Sequence, residues 1–166
     1  MEIDYYTESE KYRPEKIGKR IKKLLVGEAP PSSRKTYFYV PRPMSCARPV
    51  EEDRSLPATI FNHYFKNRTE TKDQYIDFLL WLQEKGIFLI DICKDPIKVR
   101  GCLEGVQRII SDIPKLREQM AKRKIQILDQ DIIFLLPRKN YLKYIRREFP
   151  DSQYIRWKDF RMSPDL

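Results

Sequence analysis

Three apolar runs constrain this chain more than any other feature: Leu24-Leu25-Val26, Ile87-Phe88-Leu89-Ile90-Asp91-Ile92-Cys93 and Ile132-Ile133-Phe134-Leu135-Leu136. Each is almost without polar residues and each is stopped by breakers, at Gly27 with Pro30 and Pro31, at Pro96 and at Pro137. A strand with one wet face alternates apolar and polar residues, so runs of this kind belong in a sheet covered on both sides. Helical periods separate them. Lys72 to Lys85 carries Tyr75, Ile76, Leu79, Leu80 and Leu82 at helical spacing, and Gly86 follows where a helix C-terminal glycine is expected. Cys102 to Lys124 repeats Val106, Ile109, Ile110, Ile113, Leu116 and Met120, with Pro114 implying a break at which Ser111 or Asp112 caps the second piece. Leu56 to Asn67 reads as a helix capped by Ser55, Lys139 to Phe149 as a helix stopped by Pro150, and Gln153 to Trp157 as a short fourth strand.

This alternation predicts an α/β domain with three layers, α/β/α, around a central, mostly parallel four-stranded sheet. With 166 residues the chain suits one such domain over residues 21–166, preceded by a polar N-terminal arm over residues 1–20 that reads as a loose segment or a short helix. Right-handed crossovers then gather the carboxyl ends of all strands on one edge, which is where ligands bind in folds of this class. That edge is expected to bring together Gly27 to Pro31, Asp91 to Pro96, Pro137 to Asn140 and the residues after Trp157. The stretch from Ser32 to Ser55 holds Pro41, Pro43, Pro49 and the triplet Tyr37-Phe38-Tyr39 without a steady period, and reads as a long loop of the kind that carries function.

Lys and Arg number 33 against 24 Asp and Glu, a formal net charge of +9, which makes a polyanion the first partner to consider. The surplus is uneven: residues 94–166 hold 17 basic against 10 acidic side chains, residues 1–93 hold 16 against 14. Arg138, Lys139, Lys143, Arg146 and Arg147 stand where they would flank the ligand edge and neutralise phosphates; a solvated helix face is the other reading of the same run. The three cysteines, Cys46, Cys93 and Cys102, contain no CxxC pair and suggest neither a disulfide framework nor a four-ligand metal site. Nowhere do about 18 apolar residues run together, and the start of the sequence lacks a basic segment followed by an apolar one. A reducing cytoplasm, no membrane span and no cofactor are the expectations.

Gly27-Glu28-Ala29-Pro30 is the most informative stretch. A carboxylate delivered directly after a buried strand, in a turn stiffened by proline, is held at the ligand edge. The alternative is an ordinary strand-ending turn with a solvated Glu. Together with its strand, Leu24-Leu25-Val26-Gly27-Glu28-Ala29-Pro30 resembles the first motif of the uracil-DNA glycosylase superfamily, in the branches that read Gly-Glu-Ala-Pro. Phe88-Leu89-Ile90-Asp91, followed by Lys94 and Pro96, is similar to the strand that carries that family's base-reading residue. Gly27 to Tyr39, with Pro-Pro-Ser-Ser and Tyr-Phe-Tyr, resembles a poorly characterised branch. These motifs cover about a quarter of the chain, and the order of strands and helices agrees over most of it.

The resemblance implies a metal-free enzyme that flips a nucleotide out of single- or double-stranded DNA and hydrolyses its N-glycosidic bond. Cleavage builds positive charge on the sugar and negative charge on the base, so a fixed carboxylate suits the chemistry. Glu28 is the catalytic candidate, to orient or activate water and stabilise the cationic sugar. Gly27, Ala29 and Pro30 would help position the base, and Tyr37, Phe38 or Tyr39 would stack on it; packing of the loop is the other reading of the triplet. Asp91 stands where uracil-removing relatives usually have Asn. An ionised Asp only accepts hydrogen bonds, so a cytosine-like or otherwise modified base with an amino group complements it better than uracil. A protonated Asp91 would donate as well, and a strand-end Asp that caps the next turn is the structural alternative.

The chain departs from the family in lacking the second motif, a His followed by Pro-Ser. Its single histidine, His63, lies in the helix expected before the second strand. Arg161-Met162-Ser163-Pro164 places Ser-Pro near that point, with Arg161 close to where the histidine would stand and counted here with the DNA-binding candidates Arg138, Lys139 and Lys143. Three cysteines at these spacings argue against the [4Fe–4S] cluster of some relatives. The rival classes are a nucleic-acid-binding protein that keeps the fold without catalysis, and a small-molecule enzyme such as a nucleotide hydrolase at the same sheet edge. The lack of a GxxxxGK[ST] loop disfavours a nucleoside triphosphatase. Oligomeric state is not encoded in any of these features.

Overall fold

The apolar runs form the sheet. The computed structural model describes residues 4–43, 56, 60, 71–98 and 102–159. Along the chain these form α1 (Tyr5–Glu10), β1 (Lys23–Gly27), α2 (Lys72–Lys85), β2 (Ile87–Asp91), α3 (Leu103–Asp112), α4 (Leu116–Lys122), β3 (Ile132–Leu136), α5 (Leu142–Glu148) and β4 (Gln153–Arg156). The strands lie in the order β2-β1-β3-β4 and every pair is parallel. Val26 stands opposite Ile90 on one side and Phe134 on the other. Residues of β1, β2 and β3 are buried whichever face they point to, because helices cover both faces, and the fold is a three-layer α/β architecture. The edge strand β4 is only half-buried, in keeping with its polar ends Gln153 and Arg156.

Local signals explain most boundaries. Thr71 accepts from Gln74 N while the Gln74 side chain accepts from Thr71 N, a reciprocal cap that starts α2. Gly86 ends it at φ 77° and its carbonyl accepts from both Lys22 N (2.7 Å) and Lys23 N (3.2 Å), tying the helix exit to the entry of β1. The buried face of α2 is Tyr75, Phe78, Leu79, Leu82 and Gln83, so Phe78 takes the inward place expected for Leu80, which is 47% exposed. The break at Pro114 separates α3 from α4, but neither expected residue caps the second piece. The Asp112 carboxylate accepts instead from Arg108 (2.9 Å) and Lys115 (2.8 Å), and Ser111 donates back to Arg108 O. Cys102 caps α3, its sulfur accepting from Gly105 N. The expected helix from Leu56 to Asn67 lies outside the described residues except for Leu56 and Ile60, both buried.

The N-terminal segment, expected as a loose arm or a short helix, holds the short helix α1 and packs onto the domain. Gln83 Nε2 donates to Arg13 O (2.9 Å), the Tyr12 ring stacks on Tyr39, and Glu10 sits between Arg13 (3.0 Å) and Arg123 (2.5 Å). Arg123, with only 8% of its side chain exposed, also lies over the Tyr6 ring at 4.2 Å. Removing a guanidinium this far from water is tolerated because a carboxylate and a ring face it.

A Cβ on Gly86 would stand 2.7 Å from Arg20 O, in a backbone conformation that already disfavours side chains. Gly86→Ala is therefore expected to destabilise the fold by about 2 kcal/mol or more. A urea unfolding midpoint that falls without a change in slope checks this; an unshifted midpoint would show that the segment before β1 yields freely.

Candidate functional site

Backbone hydrogen bonds continue to join the two chain segments past the ends of β1 and β2. Ile92 N donates to Gly27 O and Cys93 N to Glu28 O, both at 2.9 Å, so the Gly-Glu turn is fastened to the residues after Asp91. Glu28 and Asp91 thereby leave neighbouring strands at one edge of the sheet. They are not cross-strand partners. Gly27 is the register partner of Asp91, partners on parallel strands share a face, and Glu28 comes one residue later. Asp91 leans across its partner: a Cβ on Gly27 would lie 2.5 Å from Asp91 Oδ1. The glycine is there because the carboxylate occupies the space a side chain would need.

Asp91 stands in the wall of a cavity of about 320 Å³, a volume at the lower end of small-molecule sites. Pro30, Tyr37 and Lys94 join it from the sheet edge, Asp4, Tyr5 and Tyr6 from the N-terminal segment, Gln119 from α4 and Arg123 from the residue that ends it. Asp4, Asp91 and Asp95 face Lys94 and Arg123, and Arg123 already serves Glu10, so the cavity favours donors and cations over anions. Burial, with the Asp91 charge adding to it, holds the Tyr37 phenol well above its ordinary pKa.

Glu28 is 2% exposed and is not among the residues lining this cavity. It faces Tyr141, whose phenol is raised by burial first and by the Glu28 charge next. Its charge also reaches Tyr154, where burial is again the larger cause. Cys93, between the two acids along the edge, has its thiol pushed up to about 12 by burial, with Asp112 and Asp91 adding to it.

Of the aromatic triplet, Tyr37 alone reaches the cavity. Phe38 and Tyr39 are in the core: Tyr75 Oη donates to Phe38 O (2.6 Å), and Tyr39 Oη accepts from Leu89 N (2.7 Å) on the outer edge of β2. Ala29 and Pro30 are buried, Pro30 at the cavity wall. Arg138 is half-buried beyond β3, with its carbonyl accepting from Tyr154 Oη, while Lys139, Lys143, Arg146 and Arg147 are exposed. Arg161 and Ser163-Pro164 lie outside the described residues. The cavity residues that sequence reasoning missed are those of the arm and of α4; only the adjacent Tyr5 and Tyr6 hinted that the arm has a buried side.

Among the described residues no group of three or more His, Cys, Asp or Glu converges as a metal site would require. No described helix is long and apolar enough to cross a membrane. Comparison with protein-family models, curated proteins and solved structures found no match.

Gly27→Ala is expected to push the Asp91 carboxylate aside, costing about 1–3 kcal/mol as an overpacked core site does. Side-chain carboxyl chemical shifts locate the effect: a perturbed Asp91 resonance is expected, and an unchanged one would mean the contact is relieved elsewhere.

Proposed function

We propose that this protein is a DNA glycosylase, a hydrolase of N-glycosidic bonds, acting on a modified or cytosine-like base in preference to uracil. The observation that carries the proposal is the placement of two carboxylates, Glu28 and Asp91, on the ends of neighbouring parallel strands at the ligand edge, one buried and one in the wall of a cavity. The Gly-Glu-Ala-Pro resemblance supports the same reading.

In this proposal a flipped base enters beside Tyr37, and its exocyclic amino group donates to Asp91. The C1′–N bond breaks with its electron pair going to the base. A water oxygen bonds to C1′, Glu28 takes the proton that this water releases, and the departing base anion takes a proton from solvent. Charge on Glu28 also stabilises the cationic sugar, an effect strengthened by its exclusion from water. Lys139 and Lys143, with Arg146 and Arg147 beside them, contact phosphates and make binding salt-dependent. Arg138 and Arg161 belong to the same proposed strand-binding set. Residence in a reducing cytoplasm is part of the proposal, and Cys93 and Cys102 form no disulfide.

One observation favours a second reading. Glu28 does not line the cavity that Asp91 lines, as a protein that binds nucleic acid without cleaving it would allow.

Oligonucleotides carrying uracil, hypoxanthine or modified cytosines, incubated with the protein and assayed for abasic sites, decide between them. Glu28→Gln is expected to lower turnover about 100-fold or more while leaving DNA affinity in place, and Asp91→Asn to shift preference toward uracil. Salt-sensitive binding without abasic product from any substrate selects the second reading; unchanged turnover in Glu28→Gln removes that residue from the chemistry.

A further inference from the structure

The short turn Lys139–Tyr141 after β3 ends in a tyrosine with no exposed surface. The hydroxyls of the other fully or nearly buried tyrosines described serve the fold: Tyr39 Oη accepts from Leu89 N, Tyr75 Oη donates to Phe38 O, and Tyr37 interacts with Ser9. Tyr141 Oη makes no hydrogen bond of standard geometry among the described residues. Where this core needs only a ring it uses phenylalanine, as at Phe88, Phe134 and Phe149. A phenol hydroxyl withdrawn from water without a good partner destabilises a fold, so the oxygen at Tyr141 needs a reason beyond packing.

Glu28 supplies one. β1 and β3 pair in parallel, so Glu28 and Tyr141 leave the same edge of the sheet from adjacent strands. Glu28 is the charged group with the largest influence on the Tyr141 hydroxyl. The turn that carries Tyr141 is fixed by the bond from Tyr154 Oη to Arg138 O and runs directly into α5. Hydrogen bonds at catalytic groups are often long in the absence of substrate and tighten when it binds.

We propose that Tyr141 is the positioning residue of Glu28, its hydroxyl donating to the carboxylate so that the group stays ionised and held in one orientation at the sheet edge. The kinetic consequence rests on the glycosylase reading; the pairing itself does not. Among the described residues three other groups bear on the pair: Tyr154 from β4, whose hydroxyl is engaged by Arg138 O, Cys93 after β2, and Arg138 itself, whose charge opposes the rise in the Tyr141 pKa. A donor to the charged form favours ionisation, so loss of the hydroxyl raises the Glu28 pKa and moves its ionisation to higher pH.

The test is a carbon-13 NMR titration of the glutamate carboxyls, with Glu28 assigned through Glu28→Gln. Tyr141→Phe is expected to raise the midpoint of Glu28 by about one pH unit. Tyr154→Phe is expected to leave it nearly unchanged. As a second measurement, Glu28→Gln should shift the hydroxyl-bearing ring carbon of Tyr141, which keeps the proposal testable if Tyr141→Phe folds poorly. Where abasic product forms, Tyr141→Phe should move the acidic limb of the kcat–pH profile up by about one pH unit with KM unchanged, and at higher pH kcat should approach that of the unaltered protein. An unmoved Glu28 midpoint, or an unmoved Tyr141 ring carbon, overturns the pairing whatever the activity. A shifted midpoint in a protein that makes no abasic product upholds the pairing and refutes the glycosylase reading.

Discussion

The structure depends on β1 being paired on both sides. A strand in that position has no free edge, its backbone groups are matched to β2 and β3, and its side chains meet a helical layer whichever way they point. Full burial of an aliphatic side chain contributes about 1.5–3 kcal/mol, so Leu24, Leu25 and Val26 together exceed what one edge strand could supply. Their register also fixes everything downstream. Gly27 comes to rest opposite Asp91, and the two hydrogen bonds beyond the strand ends hold Glu28 in a turn that would otherwise be an ordinary exit from the sheet.

β2 lies at the edge of the described sheet, and an uncovered strand edge invites pairing with other chains. The aromatic loop answers that need. Tyr39 gives its hydroxyl to the outward Leu89 N–H, Tyr12 stacks on Tyr39, and Tyr5 packs edge-on against Tyr37. Arg123 then clamps Glu10 from the end of α4, so the N-terminal segment is bound to the domain by charge as well as by rings. The cavity beside Asp91 follows from this arrangement. It is the space left where a helical arm, a loop and a strand end meet without filling the corner.

The first three strands and the helix Lys72–Lys85 were legible in the sequence because their signals are local: unbroken apolar runs, a glycine at a helix exit, a proline shortly after each of these strands. β3 spans Ile132–Leu136, and Gly86 adopts the left-handed conformation its position called for. Less legible was anything decided by a distant partner. The ring of Tyr39 reads the same in sequence whether it stacks on a ligand or covers Leu89. Asp112 reads as a cap for the following helix, but two cations at i−4 and i+3 take its oxygens. The burial of the polar arm rests on Arg123, more than a hundred residues away, and Tyr141 gave no signal because a tyrosine after a strand is unremarkable until its hydroxyl is seen beside a carboxylate.

The single-residue offset between Gly27 and Glu28 has an electrostatic consequence. Two carboxylates on adjacent parallel strands, if they shared a face, would stand about 5 Å apart, and a like charge at that distance disfavours ionisation of one of them. With the glycine opposite Asp91 and the glutamate one step later, just beyond the end of β1, the two acids are not cross-strand partners. Each then has its own surroundings: Asp91 faces Tyr37 and the cavity that Lys94 also lines, and Glu28 faces Tyr141. Gly27 admits the Asp91 carboxylate to the space above its Cα, and the second acid of the pair follows one residue later, outside the lining of the Asp91 cavity.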